Sequence, residues 1–232
     1  MAVKITDTIW AAGKVIQRPN IQLSFISYLL KGKKNVLIDT VSARVAVKWW
    51  EEITAIVPYQ ELDAVILNHS EEDHSGALQL VLSWRPEIPI YCTAACSERL
   101  KKEYPYANFV CVEDRSEIQI GDFEFRFVHT PGLHWEDNMV TFFKNEHILF
   151  SNDLFGQYVG EESLSDEAVP SDMVIAGLDT YYEKILSVST VEQRKILAEI
   201  KRLGFEKIAP GHGVVLSRTL PEVLANYSEK FL

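Results

Sequence analysis

The sequence predicts an α/β protein in which two mixed β-sheets pack face to face and helices cover their outer surfaces. The chain has 232 residues, of which 47% are hydrophobic, and this is enough to bury the core of one large domain. Its first half alternates strands with helices, and its centre turns to consecutive hairpins before helices return. That order of elements is typical of two sheets between helical layers. We therefore expect residues 1–232 to form a single domain.

The first half of the chain contains short strands separated by helices. Two apolar runs flank the turn-like Lys31–Lys34 and indicate a hairpin. Helices are indicated by apolar residues at helical spacing, and Pro58 closes the first of them. The predicted strands are Gln22–Leu30, Asn35–Asp39, Leu62–Leu67, Ile90–Thr93 and Phe109–Val112, and the predicted helices are Ala43–Val57, Gly76–Trp84 and Ser97–Tyr104.

The second half begins with hairpins, which indicate a second sheet, and ends with helices. The predicted hairpin strands are Ile118–Ile120, Phe123–Val128, Met139–Phe143 and His147–Phe150. In the final third of the chain, the residue pattern predicts one long helix over Tyr181–Leu203, a short strand at Lys207–Ala209 and a last helix over Pro221–Phe231. The sequence therefore predicts a second group of strands followed by its own helices.

Composition and charge exclude several kinds of partner and site. With 33 acidic against 23 basic residues, the net charge of −10 repels phosphate backbones and argues against nucleic acid. No run reaches the roughly 18 apolar residues of a membrane span, and Met1–Trp10 lacks the apolar core of a signal peptide. We therefore predict a cytoplasmic protein. Cys92, Cys96 and Cys111 form no CxxC pair, so we predict buried, reduced thiols rather than a cysteine-based zinc site.

The strongest functional signal is the string HSEEDH at residues 69–74, which directly follows a predicted strand. It holds two histidines and three acidic residues, and His69, Glu71 and Asp73 stand at every second position. Three further residues of the types that bind metals, His134, Asp153 and His212, occur later in the chain. Small and turn-forming neighbours surround them and leave room for an ion. A solvated charged loop is the alternative interpretation of the string alone. The candidate metal ligands are His69, Glu71, Asp73, His74, His134, Asp153 and His212.

This candidate set contains four histidines and three carboxylates. It divides into two groups of two histidines and one carboxylate, with one carboxylate left to bridge, and such groups are typical of non-haem iron with open positions. Two divalent ions would carry a charge of +4 against −3 from the carboxylates, so a bridging hydroxide would nearly neutralise the site. Iron is favoured, and oxygen and nitrogen donors alone leave zinc open. His129 and His147 lie in strand-like runs, and we predict that both are hydrogen-bonded structural histidines.

These motifs resemble those of the flavodiiron proteins, the oxygen and nitric oxide reductases of the metallo-β-lactamase fold. Hydrolases of that fold resemble one another in the motifs HxHxDH and TPGH. In this sequence Glu71 stands where the first motif has its second histidine, and Leu133 is inserted before His134. Both differences favour the di-iron branch. The resemblance implies a metallo-β-lactamase-like αββα sandwich. It spans nearly the whole chain and is carried by Leu37–Thr40, the HSEEDH string, Thr130–Trp135, Phe150–Asp153 with Phe155–Gly156, and Ala209–Gly213.

The resemblance also implies the role of each ligand. It implies one iron held by His69, Glu71 and His134, a second held by Asp73, His74 and His212, and a bridge formed by Asp153. Two irons of this kind, joined by an oxo or hydroxo group, are expected to bind O2 as a peroxo-type adduct. We further expect the apolar neighbours Leu133, Trp135 and Phe155 to limit the access of water.

Several functions are compatible with this centre. Flavodiiron proteins continue into a flavodoxin domain that carries FMN, whereas this sequence ends at Leu232, so we expect no FMN in this chain. The lone-domain form resembles the oxygen-binding di-iron proteins of bacterial chemotaxis, and this resemblance favours an oxygen sensor. We expect such a sensor to be a homodimer whose oxygen-bound state is recognised by a signalling protein. The alternatives are an O2 or NO reductase component that receives electrons from a separate flavodoxin or rubredoxin, a binuclear zinc hydrolase and a metal-free interaction module. The sequence leaves open whether the protein is a turnover enzyme.

Overall fold

A computed structural model describes residues 2–18, 21–186, 188 and 190–231, and its strands form two mixed sheets. The seven strands of the first sheet lie in chain order: β1 (Val3–Lys4), β2 (Ile9–Arg18), β3 (Ile21–Leu30), β4 (Asn35–Ile38), β5 (Leu62–Ile66), β6 (Pro89–Cys92) and β7 (Asn108–Cys111). The second sheet has the order β12-β11-β10-β9-β8, formed by β8 (Glu117–Ile120), β9 (Phe123–His129), β10 (Met139–Phe143), β11 (Ile148–Asn152) and β12 (Lys207–Pro210).

Helices flank both sheets. Those that follow strands of the first sheet are α1 (Ala46–Ile56), α2 (Glu72–Ser75), α3 (Leu78–Trp84) and α4 (Ala94–Leu100). Those that accompany the second sheet are α5 (Ser171–Ile185), α6 (Val191–Lys201) and α7 (Leu220–Phe231). Short 3-10 helices lie at Tyr59–Glu61 and Asp166–Ala168. The Thr190 hydroxyl accepts from the backbone N–H of Gln193, and the Gln193 side chain accepts from the Thr190 N–H, so a capping box begins α6.

Three apolar cores hold these layers together. The first lies between the sheets and includes Phe127 of β9 and Phe150 of β11. A second joins the outer face of the first sheet to α1, α3 and α4 around Trp49. The third joins the second sheet to α5, α6 and α7 around Leu178. Because β10 and β11 are buried along their whole lengths, both faces of the second sheet are covered there, and the layers are αββα.

Parallel pairing places several strand ends together. Strands β4 to β7 run parallel, as do β11 and β12. The carboxyl ends of neighbouring parallel strands open at the same edge of a sheet, where α/β proteins usually bind ligands. The HSEEDH string follows β5, Asp153 follows β11 and His212 follows β12. The topology therefore brings distant parts of the chain to one edge of the sandwich.

The predicted fold class is confirmed, with local corrections. The predicted helix Tyr181–Leu203 is wrong as a single element, because α5 ends at Ile185 and α6 begins at Val191; residues 187 and 189 lie outside the described part. Strand β2 and the first turns of α5 were not predicted. Part of the string that was predicted as a polar stretch forms the short helix α2.

Two single-residue predictions also need correction. Cys111 is exposed, not buried, because β7 is an edge strand of the first sheet, whereas Cys92 and Cys96 are buried as predicted. His147 lies in a turn before β11 with a φ of 53°, outside the strand in which it was predicted. Within the described residues, no helix is both long enough and apolar enough to cross a membrane.

Candidate metal centre

A network of backbone and side-chain hydrogen bonds holds the HSEEDH string in place. Asp39, at the end of β4 with a φ of 56°, accepts from the backbone N–H of Asn68 at 2.7 Å and from its side-chain amide at 3.1 Å. The Thr40 hydroxyl and backbone N–H both donate to the carbonyl of His74. From the second sheet, Thr141 donates to the Asn68 side chain at 2.6 Å. The loop is therefore fixed by both sheets.

The candidate ligands converge in two groups, and in each the ligand atoms lie within 4.8 Å of one another. In the first, Glu71 Oε2 lies 3.2 Å from His69 Nε2 and 2.8 Å from His134 Nε2. In the second, Asp73 Oδ2 lies 3.4 Å from His212 Nε2, and Asp73 Oδ1 lies 3.8 Å from His74 Nε2. All seven residues that the sequence singled out therefore meet at this edge of the sandwich.

Asp153 lies between the two groups. Its Oδ2 is 3.8 Å from His69 Nε2 in the first group and 3.3 Å from His74 Nε2 in the second. Its Oδ1 is 3.2 Å from His212 Nε2 and accepts a hydrogen bond of 2.6 Å from the Tyr181 hydroxyl. This buried carboxylate contacts imidazoles of both groups, as a bridging ligand would.

The donor atoms fit a pair of cations. Asp73 Oδ1, His74 Nε2 and Asp153 Oδ2 are buried and have no hydrogen-bond partner among the described residues. Unpaired buried lone pairs are costly unless an ion or a proton occupies them. His134 Nδ1 donates to the Ile185 carbonyl at 3.2 Å, and His212 Nδ1 donates to the Ser24 carbonyl at 2.7 Å. These bonds leave Nε2 of each ring as the atom that faces the centre.

The pKa values of the cluster reflect its dense charge. Burial lowers the pKa of His74, but Asp153, Asp73 and Asp39 outweigh burial and raise it to about 10. Burial raises the pKa of Asp153, but His74 and His212 hold it well below its usual range. Hydrogen bonds from the histidines of its group lower the pKa of the Glu71 carboxyl to about 2. Protons on imidazole therefore balance the carboxylates in the metal-free protein, and bound cations would displace them.

Sequence reasoning missed four residues around the centre. Asp137 lies behind His69, Tyr181 contacts Asp153, and the Ser24 carbonyl orients His212. The ring of Phe25 meets that of His212 edge-on, with centroids 5.4 Å apart. Only Asp137 had a usable signal, since it lies three residues after His134. The others lie far along the chain, on β3 and α5, and approach the site only through packing.

The surroundings of the site differ in part from the prediction. Trp135 lies beside His69, with ring centroids 4.9 Å apart, as expected of an apolar neighbour. Leu133 and Phe155 instead belong to the core under the outer helices, and Phe155 stacks on Tyr227. A pocket of about 390 Å³ opens beside the centre, and its lining includes Ile16, Phe25, Ser42, Arg44, Val45, Glu71 and Asp73.

The two remaining histidines lie outside both ligand groups. His129, in β9, has Nε2 3.2 Å from the carbonyl of Val112, in agreement with a hydrogen-bonded structural role. The His147 ring packs against Phe142 at 6.3 Å between centroids, and its backbone carbonyl accepts from Glu206.

An αββα sandwich with this cluster at its edge defines a metallo-β-lactamase-like domain with a candidate two-metal centre. The family model described as "ODP family beta lactamase" matches residues 23–213, and the chain belongs to this family. The similarity to the metallo-β-lactamase-like domain of flavodiiron proteins, predicted from the motifs, is confirmed by the sequence and structural relatives.

Among curated relatives, an anaerobic nitric oxide reductase flavorubredoxin of Salmonella typhi is 37% identical over 199 residues, which is 83% of this chain and 41% of that protein. The flavodiiron protein of Giardia intestinalis has a TM-score of 0.91 at 26% identity, over 99% of this chain and 59% of the other. A flavoprotein of Thermotoga maritima has a TM-score of 0.87 at 27% identity, over 98% and 60%. The chain thus spans well under two thirds of the length of each of these relatives.

Proposed function

We propose that this chain is a non-haem di-iron domain that binds NO or O2 and reduces it with electrons from a redox partner. The main support for this proposal is the position of Asp153, whose two carboxylate oxygens contact imidazoles of both ligand groups. Relatives named as a nitric oxide reductase and as a flavodiiron protein support this chemistry. The proposed partners are therefore a diatomic gas and an electron donor.

The ligand assignment follows the two groups. Three carboxylates among seven ligands favour iron over zinc, because oxygen donors suit harder metals and each group offers two histidines with a carboxylate. We assign one iron to His69, Glu71 and His134, the other to Asp73, His74 and His212, and the bridge to Asp153.

The bound irons would supply electrons and Lewis acidity to the diatomic ligand. The protein's own contribution is to hold the ligands in place and to shield them. Tyr181 keeps its hydroxyl proton directed at Asp153 Oδ1, 2.6 Å away. Trp135 and Phe25 lie beside His69 and His212, and their apolar rings restrict water around the metal ligands. The pocket beside Phe25 offers an approach for a small gas molecule.

The test begins with protein loaded anaerobically with Fe²⁺ and measured by elemental analysis. We expect close to two irons per chain, and catalytic consumption of NO or O2 when reduced flavodoxin or rubredoxin is added. Glu71→Gln, with one ligand altered, should bind close to one iron tightly and lose turnover. Two zinc ions with rapid ester or lactam hydrolysis would instead establish the hydrolase alternative.

The oxygen-sensor hypothesis stays a prediction, and the same preparation tests it. A sensor would change its optical spectrum on exposure to O2, keep that change for minutes and consume no further O2 when a donor is present. Fast turnover with either gas would reject the sensor hypothesis. The predicted homodimer is tested separately by light scattering of the loaded protein.

A further inference from the structure

The carboxylate of Asp137 is fully buried directly behind His69. Its Oδ2 accepts a hydrogen bond of 3.0 Å from the backbone N–H of Ser70, and its Oδ1 lies 3.3 Å from His69 Nδ1. Both of these facing atoms are buried, and neither has an aligned hydrogen-bond partner in the described part of the chain. Since an unpaired buried oxygen or ring nitrogen is costly, the two atoms are each other's natural partners.

We propose that Asp137 is a positioning residue that accepts the Nδ1 proton of His69 and so fixes Nε2 of that ring as the metal-facing atom. The inference rests on the proposed function, because it assigns a role in holding a metal. An imidazole that donates from one nitrogen to a carboxylate presents the lone pair of the other, and such outer carboxylates orient metal-binding histidines. Nε2 of His69 indeed points to Glu71 and Asp153.

Asp137 also connects the two loops that carry His69 and His134 to the start of α4. It lies in the loop from β9 to β10, the loop that carries His134. Its backbone carbonyl accepts from the hydroxyl of Thr93, which caps α4 by accepting from the N–H of Cys96. Its carboxylate contacts the loop after β5. Asp137 therefore fixes His69 relative to His134, although the two histidines come from different sheets.

The direct test is Asp137→Asn, with Co²⁺ as the probe. An amide offers one acceptor oxygen, so the substituted side chain cannot accept from both Ser70 and His69, and its NH2 group must face a donor. We expect one of two Co²⁺ equivalents to bind about 10–100-fold more weakly, with the second unchanged. The matched control is Asp166→Asn, because Asp166 is equally buried but accepts from the backbone at Ser217 and Thr219, outside both ligand groups.

The outcomes separate the hypotheses. Unchanged affinities in Asp137→Asn, or an equal loss at both equivalents that Asp166→Asn reproduces, would overturn the role of Asp137. If wild-type protein bound fewer than two Co²⁺ ions, the proposed two-metal function itself would fail. Should Asp137→Asn not fold, nitrogen NMR of wild-type protein loaded with Zn²⁺ decides the question. His69 must then carry its proton on Nδ1, and an unprotonated Nδ1 would refute the proposal.

Discussion

Substitution of the proposed bridge tests the site most directly. Asp153→Asn keeps the shape of the side chain and an oxygen that can accept from Tyr181, but it removes one negative charge from the cluster. The side chain is buried, so solvent cannot compensate for that charge. We expect two separate effects: a loss of stability in the metal-free protein and a loss of metal binding at both positions.

The stability effect can be estimated from His74. The pKa of His74 is about 10 against an ordinary value of 6.5, and a difference of that size corresponds to about 5 kcal/mol. Asp153 is the largest of the three carboxylate contributions, which also include Asp73 and Asp39, so its loss should cost on the order of a few kcal/mol. In a chain of this length the melting temperature of the metal-free protein should fall by about 5–10 °C.

The pH dependence has a definite sign. His74 has a raised pKa in the folded state, so its contribution is complete below pH 6.5 and is lost as the pH rises through about 10. Asp153 has a lowered pKa, so its contribution is present above its ordinary value of 3.8 and is lost at lower pH. The difference between wild type and Asp153→Asn should therefore be largest near pH 5.5 and should shrink towards pH 10.

The assay is calorimetric unfolding of metal-free wild type, Asp153→Asn and Asp166→Asn at pH 5.5 and 9.5. Asp166 contacts backbone donors and a hydroxyl, not an imidazole, so the control should lose a similar stability at both pH values.

Metal titration of the same proteins measures the second effect. The metal affinity of Asp153→Asn should fall by more than about 100-fold at both positions, beyond the effect expected for an outer partner. Glu71→Gln should be weakened at one position. Two tightly bound irons in Asp153→Asn would refute the bridge, and a pH-independent loss of stability would refute the pairing of Asp153 with His74.

Three further outcomes are expected. Tyr181→Phe removes a hydrogen bond to a buried carboxylate, so the free energy of unfolding should fall by about 1.5–3 kcal/mol in urea titration while two metals still bind. Cys92→Ser and Cys111→Ser should leave the iron content unchanged in elemental analysis, because neither cysteine lies in a ligand group; a lost iron would contradict the ligand set. Chelation of bound metal should lower the melting temperature, since a ligand at 100 times its Kd adds about 2.7 kcal/mol per site; an unchanged melting temperature would argue against metal binding by the folded state.

The sequence predicted the convergence of the candidate ligands better than it predicted their surroundings. The string at 69–74 is local, so its residue types and spacing alone mark a site, and His134, Asp153 and His212 each follow an apolar strand. Strand ends meet at one edge because parallel pairing requires it, as with β11 and β12. The fold class and the residues that converge in the candidate centre were thus accessible from short-range patterns.

Packing determined what the sequence could not predict. Cys111 lies in an apolar run that is typical of a buried strand, and only the order of strands in the sheet places it at an exposed edge. The break between α5 and α6 depends on the cap at Thr190, which competes with a continuous helical pattern. Phe155 follows Asp153 closely in sequence, yet its φ of 66° turns it away from the ligands towards Tyr227. Tyr181 approaches Asp153 from a helix whose placement no local pattern reveals.

The distribution of ligands over the two sheets explains why the centre depends on the whole sandwich. The loop after β5 in the first sheet supplies ligands to both groups, but it completes neither. Each group needs a histidine from the second sheet, His134 or His212, and Asp153 comes from that sheet as well. Carbonyls of Ser24 on β3 and Ile185 on α5 then orient those two rings. Because each candidate group combines residues that follow strands of both sheets, metal binding would stabilise the same interface that the inter-sheet core forms.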